Sequence, residues 1–409
     1  MGEDWKGRAA LFCSEVAGIR RQAVPKEWGV RTASVKLNAA HPLICDVHQK
    51  QAIRVVRRRR RVLGLLLSVP MCRDFSRARS IAHDFAVHFA IDIRTRASPS
   101  YGVSLSFARE HSVEARTICG RRISEHILDS VRHGFREAFD KRPNFSANLT
   151  ILQVGNGSAS DVYSRSKCRA AAKVGVRAKL VKLGTEATQQ EIEAELQRLN
   201  DDSDVDGIIL QLPLDCVNPV DVNAVTNRID PEKDVDGLTR KSVGRLMRGE
   251  LDPSLVPGTA SACVELAKSV CGKEGLQGKH VVVVGRSRIV GSPTAALFLW
   301  HDATTTICHL KTQNLKDLCR LADVLVVGVG RPNFVRGKWV KPGAIVIDCG
   351  VNVEATERRR GKLVGDVHFE EAKHVAGHIT PVPGGVGPVT VAVLIRNTFL
   401  RALLRRPKW

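Results

Sequence analysis

The sequence predicts an α/β protein of two lobes, each built on a parallel sheet, and three observations carry that expectation. From about Ala115 onward, short runs rich in Val, Ile and Leu alternate with segments of helical period, the order a parallel sheet with crossover helices requires. The alternation starts again near Ser261. There a four-valine run, "HVVVVG", passes through a glycine turn directly into a helix. The expected division is residues 115–260 for the first lobe, completed by a closing helix over 388–409, and 261–387 for the second.

Element by element, "ARTICGRRISEHILDSVRHGFREAF" from Ala115 reads as an amphipathic helix and "NLTILQVG" as a strand ending in a turn. A helix beginning at Ser158 follows, then "AKLVKLG" as a second strand, "TQQEIEAELQRLN" as a helix, and "VDGIILQLP" as a third strand closed by Pro213. Ligands of open parallel sheets sit beyond the carboxyl ends of the strands, and Gln211 lies at such an end. In the second lobe the helix "SACVELAKSVC" precedes "GKHVVVVGRSRIVGSPTAALFLW", a buried strand, a tight turn and a helix opening at Ser292 and Pro293. Three more short apolar strands, "ATTTICH", "ADVLVVGVG" and "AIVIDCGV", complete the order of a Rossmann-type dinucleotide-binding lobe.

The region before residue 115 reads differently. Of the net charge of +21, residues 1–114 supply +10, from 20 Lys/Arg against 10 Asp/Glu. Five arginines, Arg57 to Arg61, precede a greasy run too short to cross a bilayer. A basic nucleic-acid arm lacks the interleaved aromatics such arms use. A mitochondrial presequence starting at Met71 is arginine-rich and partly amphipathic, yet contains Asp74, Asp84 and Asp92. The segment is expected to be a poorly ordered extension or a targeting segment. Eleven cysteines without a C-x-x-C pair indicate reduced thiols in an intracellular compartment and argue against a disulfide framework or a zinc site.

Three motifs carry the chemistry. In "SASDVYSRSKCRAAAKVGV", Ser160, Tyr163 and Lys167 fall on one helical face while Ala170, Ala171 and Val174 supply packing. Alone, that spacing describes an exposed helix with a solvated lysine. In "GRSRIVG", Ser287 replaces the middle glycine of G-x-G-x-x-G, and the following helix N-terminus offers amides to a pyrophosphate. The next strand ends "CHLK" with no acid for ribose hydroxyls, so Arg286 and Lys311 favour a 2′-phosphate, and NADP over NAD. Finally, "ITPVPGGVGPVT" from Ile379 fixes its backbone with three prolines and three glycines, as loops do where backbone approaches a ligand.

Together with "GIILQLPL", "DPEKDVDGL", "KPGAIVIDCGVN" and "LVGDV", these stretches resemble the bifunctional methylene-tetrahydrofolate dehydrogenase/methenyl-tetrahydrofolate cyclohydrolase family over its whole catalytic length. "ILQVGN" and "PEKDVDGLT" look most like the cytosolic trifunctional branch, whose ligase domain is not expected in a chain ending at Trp409. The resemblance implies oxidation of 5,10-methylene-tetrahydrofolate with NADP, hydrolysis of the methenyl product to 10-formyl-tetrahydrofolate, and tetrahydrofolate derivatives as partners. It also implies a homodimer, no metal, no specific nucleic acid and no membrane, in the cytoplasm or alternatively the mitochondrion.

By the same resemblance Lys167 is the catalytic lysine, Tyr163 stacks on the folate, and Gln211 and Asp236 modulate the lysine and hold the pterin. Ser160, Leu212, Pro383, Gly384 and Gly385 line the substrate. Thr259, Gly285, Arg286, Ser287, Ile289, Val290, His309, Lys311 and Val351 line the cofactor. A lysine near pKa 10.4 is a poor base at neutral pH and needs lowering by roughly three units. Three departures stand out: Gly258, Thr259 and Ala260 replace Cys-Thr-Pro, predicting a looser hinge; Leu310 replaces a serine; Val389 replaces a methionine. Competing readings are a dehydrogenase with weak cyclohydrolase or altered cofactor choice, and a non-catalytic folate- or nucleic-acid-binding protein.

Overall fold

The computed structural model describes residues 91–92, 106–107, 114–272, 275–354 and 361–405. The chain forms two units, Met1–Glu110 and His111–Trp409. In the first, Ile91–Asp92 (β1) pairs antiparallel with Ser106–Phe107 (β2). The expectations of a presequence or basic extension fall outside the described residues.

In the second unit, Asn148–Val154 (β4) is buried from Leu149 onward and lies between Arg177–Leu183 (β5) and Gly207–Gln211 (β6), all parallel. Burial on both faces explains why β6 reads as a continuous apolar run and β4 as one broken only by Thr150 and Gln153, whereas β5, at an edge, alternates. Helix α1 (Gly120–Lys141) turns Ile127, Leu128, Val131 and Ala138 inward at helical spacing. Its expected start at Ala115 is corrected. Arg116–Thr117 is instead a short strand (β3) paired with His378–Ile379 (β13), because the Ala115, Arg116 and Ile118 amides bond to Lys373, Gly377 and Ile379 carbonyls. Helix α2 is Ser158–Ala172, and α3 (Gln189–Asp201) opens on a capping box formed by Thr188 and Glu191. Two short helices, α4 (Val222–Thr226) and α5 (Arg240–Met247), follow β6.

Helix α6 (Gly258–Cys271) leads into a six-stranded parallel sheet of order β3-β13-β10-β9-β7-β8. Its strands are His280–Val284 (β7), Thr304–Cys308 (β8), Val324–Val327 (β9) and Ile345–Asp348 (β10), besides β3 and β13. Strand β8 is an edge strand with Ile307 exposed, so its threonines need only one covered face. Helix α7 spans Gly291–Leu299, α8 Leu315–Cys319 and α9 Phe369–Ala372. A hairpin absent from the sequence reading, Asn352–Glu354 (β11) with Lys362–Val364 (β12), follows β10.

The closing helix α10, Val386–Arg405, is long and apolar enough to span a membrane by composition, yet most of it is buried in the fold. It packs on α1, α6 and α2, and Phe399 meets the rings of Phe135 and Phe145. Asn397 Nδ2 donates to the carbonyls of Val235 and Val256, fixing the segment that carries Asp236. A looser hinge is the expectation for residues 258–260. These residues are the first turn of α6, and a Cβ on Gly258 would lie 2.8 Å from Leu394 Cδ2, so the missing side chain lets α10 close in.

Candidate active site

Strands β4 and β6 place Gln153 and Gln211 side by side at their carboxyl ends, both buried. Helix α2 runs back across those ends. Lys167, only 3% exposed, donates from Nζ to Gln211 Oε1 at 2.8 Å, and Gln211 Nε2 in turn donates to the Leu212 carbonyl at 2.9 Å. The reading of the Ser-Tyr-Lys face as solvated is thereby excluded. Ser160 is buried and Tyr163 half-buried, with the lysine ammonium 5.2 Å from the Tyr163 ring centroid, a cation–π distance. The Tyr163 hydroxyl lies 3.5 Å from the Gly387 carbonyl at the start of α10.

Electrostatics sets these groups against their usual protonation. Burial pulls Lys167 below the ordinary lysine range, while Asp236 and Cys168 oppose it. Burial, with the nearby Asp234 charge, pushes Asp236 up to about 6 against the pull of Lys167. Tyr163 rises to about 12, chiefly by burial and then by the Asp236 charge. A lysine that gives up its proton readily beside a carboxyl that takes one readily is the pattern of a proton-exchange site. Sequence reasoning missed its support. Ser164 donates to Gln153 Oε1 at 2.8 Å, and Gln153 Nε2 donates to Asp161, whose carboxylate is held near 2 mainly by Lys182.

The glycine turn between β7 and α7 needs its glycines. Gly285 sits at φ +142°, and a Cβ there would stand 2.3 Å from the Gly328 carbonyl oxygen; one on Gly291 would stand 2.1 Å from that of Gly285. The amides of Val290 and Gly291 donate to Ser287 Oγ, at 3.0 and 3.4 Å. Ser287 therefore caps the turn itself where an anion's oxygen was expected to sit. Arg286, Ile289, Lys311 and Val351 are exposed, and Thr259 and Val290 half-buried. His309 Nδ1 accepts from the Lys311 amide at 3.2 Å. Arg288 donates to Asn223 of α4, joining the glycine turn to the other lobe.

The last loop is fixed from two sides. Thr380 Oγ1 accepts from the Asp348 amide at 2.8 Å, and a Cβ on Gly120 would lie 1.8 Å from the Gly385 carbonyl oxygen. Gly384 adopts φ +113° and Pro383 is exposed. Leu212 packs against the core of the first lobe, so only its carbonyl faces Gln211. Buried Asp348 accepts from the amides of Gly350, Asp366 and Val367, and Asp366 from those of Val329 and Gly330, which sets the loops beyond β9 and β10. An open polar groove of about 910 Å³ beside α3 and α4, lined by Gln189, Glu193, Asn227 and Arg228, shares no residue with these clusters.

The comparisons with known proteins meet this geometry at both lobes. Residues 118–236 match the model of the tetrahydrofolate dehydrogenase/cyclohydrolase catalytic domain, and 257–406 that of the NAD(P)-binding domain of the same family. The bifunctional protein FolD of Maricaulis maris is 52% identical over 260 residues, covering 63% of this chain and 85% of that one. The chain belongs to the tetrahydrofolate dehydrogenase/cyclohydrolase family. Among solved members, the Trypanosoma brucei methylenetetrahydrofolate dehydrogenase-cyclohydrolase, complexed with NADP cofactor and inhibitor, superposes with a TM-score of 0.67 at 39% identity over 71% of this chain and 98% of that one. The cytoplasmic C-1-tetrahydrofolate synthase of Spodoptera frugiperda is 48% identical over 282 residues, 68% of this chain but 30% of that one. The chain thus spans about a third of the synthases it matches. Both family domains contain a described cluster: Lys167, Gln211 and Asp236 lie in the catalytic domain, and the glycine turn in the nucleotide domain.

Proposed function

We propose that this chain oxidises 5,10-methylene-tetrahydrofolate with NADP and hydrolyses the methenyl product to 10-formyl-tetrahydrofolate, in one-carbon metabolism. The observation that carries the proposal is the buried Lys167–Gln211 hydrogen bond beside a carboxyl raised to about 6, at the strand ends of the family's catalytic domain. Lys167, Tyr163, Gln211 and Asp236 are the catalytic set. Asp236 anchors the pterin and Tyr163 lays its ring against the folate, with Ser160, the Leu212 carbonyl and the Pro383–Gly385 backbone completing the walls. Gln211 holds Lys167 Nζ in place. Lys167, its proton loosened by burial, accepts the proton of the water that adds to the methenyl carbon.

The nucleotide lobe fits its cofactor in shape and charge. Gly285 and Gly291 keep the turn free of Cβ atoms, and the exposed Arg286 and Lys311 carry no acidic neighbour at the end of β8. Bound NADP supplies a hydride acceptor. Thr259, Gly285, Arg286, Ser287, Ile289, Val290, His309, Lys311 and Val351 are the residues that would hold it. Ser287 must release its turn amides if those are to reach a phosphate. Leu310, 40% exposed after β8, favours a second reading in which NAD also serves, since no hydroxyl stands there.

The domain reading proposed is a folate lobe over 115–260 completed by the closing helix, with a nucleotide lobe over 261–387. A homodimer has a surface to use, since Val353 and Leu363 are exposed on the β11–β12 hairpin. The cytoplasm is the proposed compartment, in keeping with the free cysteines and with the name of the matched synthases. The test is an assay of the purified chain with methylene-tetrahydrofolate and each nicotinamide cofactor, and separately with methenyl-tetrahydrofolate. Turnover in both, with NADP preferred, is expected; turnover in neither overturns the proposal.

A further inference from the structure

Two cysteines 86 residues apart meet inside the nucleotide lobe. Cys263 Sγ, on α6 and fully buried, lies 3.4 Å from Cys349 Sγ, which follows the last residue of β10 and is partly exposed. The backbone of Cys349 is held in place, since its amide donates to the Val327 carbonyl at 2.8 Å. A disulfide needs its sulfurs about 2.05 Å apart, and these two are already in contact, with no other residue between them.

We propose that Cys263 and Cys349 form an oxidisable dithiol, a modification site at which hydrogen peroxide closes a disulfide between α6 and the carboxyl end of β10. Cys349 is the less buried residue of the two and the one expected to react first. Its thiolate attacks one peroxide oxygen; the O–O bond breaks, hydroxide leaves, and a sulfenic acid remains. Cys263 Sγ then attacks that sulfur, the S–O bond breaks, and the departing hydroxide leaves as water with the thiol proton. Overall two thiols lose two electrons and two protons, and one peroxide becomes two waters. The hydrogen bond to Cys263, burial and the Asp348 and Asp366 charges hold the Cys349 thiol well above its usual range, so the reaction is slow at neutral pH and quickens as pH rises.

Closing the bond joins the helix bearing Thr259 to the strand end bearing Val351, and Cys349 also stands near enough to Tyr163 to affect its ionisation. The bond staples α6 to the end of β10 between Thr259 and Val351, two residues proposed to hold the cofactor, so cofactor binding and turnover fall until a dithiol reductant restores them. That consequence rests on the function proposed above; the disulfide itself does not.

The test is peroxide treatment of the full chain at neutral and alkaline pH, alkylation of the remaining thiols, and mass spectrometry of the digest. The expected result is a peptide pair joined through Cys263 and Cys349, formed faster at alkaline pH, absent from Cys263→Ala and Cys263→Ser, and undone by dithiothreitol. Failure to find it in the native chain, or Cys349 recovered as sulfinic acid alone, overturns the proposal whether or not the variants fold. Turnover should fall with the joined pair in the native chain and persist in the folded variants. A joined pair with turnover intact overturns the coupling. If reduced native chain turns over no folate, the function fails while the mapped bond still decides the dithiol.

Discussion

Lys167 Nζ and Gln211 Oε1, from a helix and a strand end 44 residues apart, stand 2.8 Å from one another in a pocket that leaves the lysine almost no solvent. A buried ammonium with one protein acceptor is under-solvated, which is why its proton is easily lost. Gln211 contributes no charge, so it positions the amine without restoring the ordinary lysine pKa.

Lys167→Met should therefore keep the fold and NADP binding but abolish methenyl hydrolysis, because methionine matches the lysine's reach without a proton to exchange. Dehydrogenase turnover should fall as well, though less. The two rates are read separately on the purified variant, and normal hydrolysis would remove Lys167 from the mechanism.

Asp236 makes a stability prediction with a defined sign. Its folded pKa of about 6 exceeds the ordinary 3.8, so the folded chain binds the extra proton and stability falls as pH rises between those values. Asp236→Asn removes that penalty. The variant should be more stable at neutral pH by about 1–2 kcal/mol, less than the ceiling of about 3 kcal/mol because the carboxyl is partly exposed and coupled to Lys167. Melting temperatures across the pH range should diverge from the parent above about pH 4 and run parallel above about pH 6. Folate turnover should drop, and its acid limb should move to lower pH, since Asp236 raises the pKa of Lys167.

Arg286→Ala should weaken NADP far more than NAD, by roughly 1.5–3 kcal/mol for a lost charge-assisted hydrogen bond. Equal losses in titrations with both nucleotides would show that Arg286 does not read the phosphate. Leu310→Ser should tighten NADP; no change would assign that role to His309 or Lys311.

Gly291→Ala tests which effect wins at the head of α7. Alanine is favoured in helices by up to about 1 kcal/mol over glycine. Here its Cβ would meet the Gly285 carbonyl oxygen at 2.1 Å and the Arg286 amide nitrogen at 2.7 Å, both backbone atoms that cannot step aside. The variant should lose about 1–3 kcal/mol of stability and its nucleotide binding. A higher melting temperature would mean the turn is looser than its geometry.

A chain beginning at Ser112 should fold and retain turnover, because β3 and the Glu114–Lys373 ion pair remain. Removing the preceding residues should lower binding to polyanions, given the charge they carry. Precipitation or lost activity would show that the catalytic unit depends on residues before Ser112.

Strands covered on both faces, such as β6 and β7, were legible because their valines, isoleucines and leucines follow one another directly, and β4 because only Thr150 and Gln153 interrupt its apolar residues. Thr188 and Glu191 form a capping box at the head of α3 whose spacing stood in the sequence unread. Strand β3 was not legible, since Arg116 and Thr117 carry no apolar signal and are extended only because β13 lies beside them. At the site, no periodicity distinguishes a buried lysine from a solvated one; family resemblance singled out Lys167, and geometry shows why it is unusual. Gln153 could have been found, as the register partner of a Gln211 already placed at a strand end. The inward role of Ser287 could not, because a serine in a glycine turn serves a phosphate or its own amides equally well.

The pairing of β3 with β13, and the seating of α10 on α1 and α2, have a consequence for biosynthesis. The first strand of this unit waits for a partner near residue 379, and the sheet made first waits for its cover until residues 386–405 emerge. Each half buries a core of its own, but the face of β4 and β6 that α10 covers stays open until that helix is made. The nascent chain must therefore carry that face of β4 and β6 uncovered until the closing helix emerges, the situation in which chaperones hold long-range folds back from aggregation.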